Sequence, residues 1–312
     1  MTDTPLSLRS IKVTTNAGRS VTMELRRPEL SGFLIRNITG LTPGAVEVQA
    51  TELTTIPGSI ISGTKKTTRN IVFDLTLLWA STVEEMRHNT ELYFPIGEEI
   101  RMDFYTHDRS VFIRGTVEAN DPVIFDNGNQ GNGIDCQISV ICSDPRFYTQ
   151  TNNQKEVYTN HLKGFHMPFG IRKLSPTVAP VPVGVIKDND KYYYLIYNGT
   201  AVDGLTFKIY FNNTARDITI QSLNDSKKMI ITPLEKFQKG DILYISTKSG
   251  NHYIRMLRNN AYYNYLNYYH FDESDWIQLH PGENTFLLEV DGGGSNSSVE
   301  IVASWRDAFW GI

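Results

Sequence analysis

Asp272, Glu273 and Asp275 crowd beside Trp276, and carboxylates near an aromatic ring are the raw material of glycoside hydrolysis. That chemistry needs two carboxylates facing each other across a sugar. Three on one turn read instead as a solvated loop. Gly58-Ser59-Ile60-Ile61-Ser62-Gly63-Thr64-Lys65 approaches a phosphate-cradling loop. The motif requires Lys directly after the second Gly and then Ser or Thr, and here Thr64 and Lys65 stand in the wrong order. Asp126-Asn127-Gly128-Asn129-Gln130-Gly131 opens like a calcium loop, but its twelfth position, which must be Glu, is Gln137. His161 and His166 have the spacing of half a zinc site and lack a second ligand pair nearby, while His252, His270 and His280 are scattered. Neither a Gly-x-Ser-x-Gly elbow nor a Cys/His signature stands out. The expectation is a protein that is not an enzyme, with no catalytic, metal or cofactor-binding residue assigned.

Tyrosine is the more informative residue. Tyr192, Tyr193, Tyr194 and Tyr197 form one dense group, and Tyr262, Tyr263, Tyr265, Tyr268 and Tyr269 a second. Aromatics favour strands, so each belongs by default to the core or rim of a sheet. Tyr also gives large contact area at low entropic cost. With Asn264 and Asn267 interleaved, the second group and Trp276 form a candidate partner or glycan surface.

The elements that would position these residues are mostly strands. Ile71, Phe73, Leu75 and Leu77 alternate within Asn70–Leu78, as do Ile134, Cys136, Ile138, Val140 and Cys142 within Ile134–Ser143. Between them, Ser81–Glu118 reads as a short helix followed by a hairpin. Ser81 and Thr82 can cap the helix, Glu84 and Glu85 suit its first turn, and Pro95 and Gly97 end it. Ile100, Met102 and Phe104 then alternate with polar residues, His107-Asp108-Arg109 turns, and Val111, Ile113 and Val117 return. Residues 54–69 and 120–133 read as polar loops. Both are long for structureless segments of a compact domain. Residues 54–69 are either mobile or ordered by a neighbouring subunit. From Tyr192 onward, short strands alternate with turns such as Asn198-Gly199, Lys239-Gly240-Asp241 and Pro281-Gly282, the pattern of a sandwich or jelly roll. Trp276–Leu279 is expected as one of these strands.

The chain has 312 residues, 21% of them charged, and a net charge of −4, so it carries no basic excess for a nucleic-acid backbone. No apolar run approaches the roughly 20 residues of a membrane span, and residues 1–13 lack an apolar signal core. Cytoplasmic synthesis is expected. Cys136 and Cys142, on one face of a strand, would lie ~20 Å apart, beyond disulfide reach. The fold class is mainly β with one short α-helix. The division is 1–148 for an N-terminal β domain, 149–184 for an extended proline-rich linker, and 185–312 for a C-terminal β-sandwich.

In this order the pieces resemble the distal tail (Dit) proteins of long-tailed bacteriophages. Phe33-Leu34-Ile35-Arg36-Asn37-Ile38-Thr39-Gly40-Leu41 with Pro43-Gly44, Arg69–Leu75, Arg87 with Leu92-Tyr93-Phe94-Pro95, Arg114–Glu118 and Cys142–Tyr148 carry the resemblance in the first half. Asn198–Ala201, Gly240–Thr247, Trp276–Leu279 with Pro281–Asn284, and Trp310-Gly311-Ile312 carry it in the second.

The resemblance implies structural work at the phage tail tip. In that family the first domain builds a ring (belt) of six subunits. The ring joins the tail tube protein to the tail-associated hub or fibre protein, and the tape measure protein and DNA pass through it, DNA only as cargo. The second domain is a galectin-like sandwich that in many phages holds receptor-binding proteins. The expected location is the virion, in a siphovirus baseplate, after assembly in the bacterial host cytoplasm. The galectin sugar runs, His-x-Asn-Pro-Arg and Trp-Gly-x-Glu, are absent here. The alternative is a carbohydrate-binding adhesin that recognises the host surface through Tyr262–Tyr269 and Trp276. For a ring, the loops 54–69 and 120–133 suit the subunit interface, with Thr54, Gly58, Lys65, Arg69, Asn127 and Gln130 as candidate residues, and Asp103, opposite in face to Ile100, Met102 and Phe104, is a candidate acidic lining of the channel.

Overall fold

Strand alternation dominates the computed structural model, which describes residues 8–44, 46–52, 58–78, 83–122, 133–158, 161–163, 184–186, 192–290 and 299–312. Two units form, one from residues 1–151 with 308–312 and one from 152–307. The last five residues thus join the first unit, whereas the sequence pattern had assigned them to the second.

The first unit contains β1 (Leu8–Thr15), β2 (Ser20–Glu24), β3 (Phe33–Thr39), β4 (Val46–Glu52), β5 (Ser59–Lys66), β6 (Arg69–Leu78), α1 (Val83–Tyr93), β7 (Glu99–Thr106), β8 (Ser110–Pro122), β9 (Gly133–Cys142) and β10 (Phe147–Thr149). One antiparallel sheet runs β2-β1-β7-β8-β9-β6-β3. β6 and β9 pair without a break from Arg69↔Cys142 to Leu78↔Gly133. Direct opposition puts side chains on a shared face, so Ile71, Phe73, Leu75 and Leu77 are buried with Cys136, Ile138, Val140 and Cys142. The alternation predicted this face.

The helix also forms as expected over its described residues, with Glu84 and Glu85 in its first turn. Its expected caps, Ser81 and Thr82, lie outside the described residues. Met86 and the following Phe94 enter the same core, where Phe94 packs 6.1 Å from Phe73 and 6.3 Å from Phe33, ring to ring. Gly97, at φ +80°, takes the left-handed turn that releases the chain into β7.

The reading of residues 54–69 as a loop is corrected. β5 pairs with β4 as a separate two-stranded sheet, from Val46↔Lys66 to Glu52↔Ser59. Nearly every β5 side chain is exposed. A strand bare on both faces carries no period-2 apolar signal, which is why the sequence reads as loop.

The second unit contains β11 (Asn153–Tyr158), β12 (His161–Lys163), β13 (Gly184–Ile186), β14 (Tyr192–Tyr197), β15 (Thr206–Phe211), β16 (Ile218–Ser222), β17 (Lys228–Ile231), β18 (Ile242–Lys248), β19 (Asn251–Arg258), β20 (Ala261–Asn264), β21 (Gly282–Val290) and β22 (Val299–Trp305). A six-stranded sheet, β11-β22-β15-β18-β19-β20, and a four-stranded sheet, β14-β21-β16-β17, bury their alternate residues in one core. The architecture is a β-sandwich. β11 falls inside the expected linker, and most of the remaining linker lies outside the described residues. Trp276–Leu279 is not a strand. Its regular pairing is a single bridge, Asp203↔Leu279. A final strand, β23 (Ala308–Phe309), pairs with β10 in the first unit.

Candidate assembly and recognition surfaces

The β4–β5 hairpin is the first candidate surface. Val46, Val48, Ile60 and Ile61 are 39%, 51%, 57% and 64% exposed. Ile60 and Ile61 are consecutive and so point to opposite faces. Aliphatic groups therefore meet water on both sides of a two-stranded ribbon, a structure of marginal stability by itself. Gly58 enters β5 at φ +132° and Lys65 sits opposite Glu47 on the exposed strand. Thr54, Asn127 and Gln130 lie outside the described residues.

Arg69, expected at an interface, is instead only 6% exposed. Its guanidinium donates from Nε to Pro145 O at 2.7 Å, from Nη1 to Thr42 O at 2.7 Å and to Gly40 O, and from Nη2 to Trp310 O at 2.6 Å. It also lies 4.9 Å from the centre of the Phe147 ring. The rigid fork of donors suits a point where three loop segments converge. Arg69 is a clasp within the first unit.

Asp103 does not offer a free carboxylate. It is 5% exposed, receives Arg101 in a bidentate pair at 2.6 and 3.1 Å, and accepts Gln150 Nε2 at 3.2 Å. Its charge is met inside the subunit, which corrects its reading as an acidic lining.

The second tyrosine group is divided by the fold. Tyr262 and Tyr263, on β20, are 66% and 49% exposed. Tyr265 and Tyr269 are core residues, with Tyr268 and Trp276 packed against that core. Trp276 stacks on His252 at 4.5 Å and on Tyr269 at 4.8 Å. The continuous surface expected from Tyr262 to Trp276 is therefore not built. The short 3-10 turn Leu266–Tyr268 folds half of it inward. In the first group the strand period does the sorting, with Tyr193 and Tyr197 buried and Tyr192 and Tyr194 exposed.

His252 stacks on Trp276, and His280 lies 3.3 Å from Asp225. His166 and the calcium-like segment 126–131 lie outside the described residues. Among the described residues no three His, Cys, Asp or Glu side chains are grouped to hold a metal. Glu273 pairs with Lys228 at 3.4 Å, and the phosphate-loop-like stretch is β5. Both cysteines are free and buried, and burial pushes each thiol up to about 12.

Sequence reading missed the outer face of the six-stranded sheet. There Lys208 stands directly opposite Tyr244, and Tyr244 opposite Arg255. Alternation in β15 and β18 marks these positions as outward, but only the register shows that they adjoin.

Residues 198–309 match the family model described as the siphovirus-type tail component, C-terminal domain (SPP1 Dit). No curated protein matches the chain. Among solved structures the fold is similar to that of SPP1 Dit, described as a paradigm of the hub adsorption apparatus in phages infecting Gram-positive bacteria. The two are 15% identical over 95% of this chain and 98% of that one, with a TM-score of 0.62. A chain of the phage P2 baseplate, in its activated conformation with calcium, is 10% identical over 95% of this chain and 98% of that one, with a TM-score of 0.46. Over residues 198–309, then, the chain is similar to the C-terminal domain of siphovirus-type tail components of the Dit type.

Proposed function

We propose that the protein is the hub subunit of a phage tail tip, built into the virion as a homo-hexameric ring. Its first unit forms the ring between the tail tube protein and the tail-associated hub or fibre protein, and leaves a passage for the tape measure protein and DNA. The second unit acts as a galectin-like carrier for receptor-binding or other peripheral proteins. The work is structural rather than enzymatic.

The observation that carries this reading is the β4–β5 hairpin, with Val48, Ile60 and Ile61 more than half exposed. A ring closes through a heterologous interface, in which two different faces of the subunit meet. A bare apolar ribbon is one such face, and a neighbouring copy supplies the cover that the subunit itself lacks.

Negative-stain microscopy and sizing of the purified full chain test the proposal. Rings are expected for the unaltered protein, alone or mixed with the tail tube protein. A chain that stays monomeric at high concentration under both conditions would overturn it. Ile60→Asp with Ile61→Asp is expected to abolish rings while changing monomer stability by no more than about 0.5 kcal/mol, since both positions face solvent in the monomer. Rings that survive both carboxylates would remove the hairpin from the interface.

A further inference from the structure

We infer that the tip of the β4–β5 hairpin docks in a pocket of the neighbouring copy, between the 3-10 turn Pro28–Leu30 and α1, with one of Ile60 and Ile61 entering it. The inference rests on the ring proposed above and names the second face of its interface. The pocket, of about 270 Å³, is walled by Leu30, Phe33, Leu77, Leu78 and Met86, with Glu29 and Asn89 beside them. Phe33, Leu77 and Met86 belong to the first core, so the floor is apolar. Leu30 is 64% exposed, and the turn holds it so. Pro28 O accepts the amides of Ser31 and Gly32 at 3.2 and 2.9 Å, and Gly32 O accepts Leu78 N at 2.8 Å, which pins the turn to the end of β6.

Topology separates the hairpin from its own subunit's pocket. β3 and β6 pair from Phe33↔Leu77 to Thr39↔Val72. The chain leaves β3 at Thr39, forms the hairpin and enters β6 at Arg69, so the hairpin springs from one end of this pair. Phe33, Leu77 and Leu78 put the pocket at the other end. β6 has 10 residues, which sets the two ends roughly 30 Å apart. With nearly every β5 side chain exposed, the hairpin is not folded back over its own subunit. Its apolar groups stand where an arm reaches furthest. Ile60 and Ile61 face Thr51 and Ala50, close to the tip at Glu52↔Ser59 and far from the base at Val46↔Lys66. The pocket is smaller than most organic-ligand pockets, which run roughly 300–1,000 Å³, and its apolar floor suits a branched aliphatic side chain. Each copy carries one hairpin and one pocket at opposite ends of the same strand pair, so head-to-tail closure leaves neither unused.

Disulfide cross-linking of the full-length protein tests the inference. Protein carrying Leu30→Cys is mixed before assembly with protein carrying Ile60→Cys, and separately with protein carrying Ile61→Cys, alone or with the tail tube protein. The native Cys136 and Cys142 are buried and leave the background low. One mixture is expected to give a linked dimer on mild oxidation and the other at least roughly tenfold less, because the two isoleucines point to opposite faces. A chain carrying Leu30→Cys with the reactive isoleucine position is expected to link into a ladder that ends at the closed ring. Leu30→Asp, and separately Asn89→Trp, which fills the pocket, should each raise the concentration needed for rings at least roughly tenfold. Leu30→Asp should do so with an unchanged melt, because that side chain faces solvent in the monomer. Rings in which neither mixture links, rings in which both link equally, or rings indifferent to both Leu30→Asp and Asn89→Trp would overturn the inference and leave the ring to another contact. A ladder that stops at the dimer would keep the contact and overturn the ring. A chain that stays monomeric under every condition would overturn both.

Discussion

Arg69 shows how one residue holds several segments at once. Four carbonyl oxygens from Gly40, Thr42, Pro145 and Trp310 converge on its guanidinium. Arg69→Met leaves those carbonyls buried and unpaired, at a cost of about 3–5 kcal/mol in urea unfolding. Arg69→Lys is expected to recover only part of that, since an ammonium presents three donors from a point rather than a fork. A lysine variant as stable as the original would refute the clasp. Asp144, which precedes Pro145 in the chain, makes a pH prediction. Burial pushes its carboxyl up, but Arg146 and Tyr148, donating at 2.8 and 2.7 Å, outweigh that and hold its pKa below the ordinary 3.8. A carboxylate with a depressed folded pKa contributes stability above its unfolded pKa, and loses it as pH falls through the folded value. Asp144→Asn should therefore lower the urea midpoint at pH 7, and the difference should close as pH falls below about 3.8. A difference that is the same at pH 7 and pH 2 would show that the carboxylate's charge is not what matters.

Elements were legible from the sequence in proportion to how one-sided they are. β6 and β9 each bury one face, so their alternation marks both the strands and the core. α1 announces itself through its acidic first turn and the Pro95–Gly97 exit. β4 and β5 fail this test because neither face is buried within the subunit, and Arg69 fails it because a charged residue in a polar stretch looks solvated. Residues 262–269 fail differently. Their composition is a surface composition, and a single 3-10 turn decides which rings go inside. The β7–β8 hairpin gives an element-scale prediction through Gly115. A Cβ there would lie 2.7 Å from Cys142 Sγ, 2.7 Å from Val140 Cγ1 and 2.9 Å from Ile141 O. β8 approaches β9 this closely only without a side chain. Gly115→Ala should cost about 1–3 kcal/mol by overpacking, and Gly115→Val more. Thermal melts that leave the alanine variant unchanged would mean that β9 yields freely at this point.

At the scale of the whole molecule, the first unit is assembled from two distant pieces of chain, residues 1–151 and 308–312. The short second piece is well tied. β23 pairs Phe309 with Phe147 and Ala308 with Tyr148, and Phe309 enters the first core. Trp310 O accepts Arg69, and Ile312 N donates to Leu41 O at 3.2 Å. Gly311 fits against Pro43 so closely that a Cβ would lie 2.7 Å from its Cδ. The whole of the second unit must therefore be synthesised before the first can be completed, and a chain lacking residues 308–312 would carry an unfinished first unit. Deleting Trp310–Ile312 while keeping β23 removes those two hydrogen bonds and the burial of Trp310. It is expected to destabilise the first unit by about 2–4 kcal/mol. Amide hydrogen exchange is the measurement that localises the loss. Protection should fall around Leu41, Arg69 and β10, and stay unchanged in β15, β18 and β22 of the second core. An equal loss across both sheets of the sandwich would show that the two units unfold as one, and that these last residues serve the whole chain rather than the first unit.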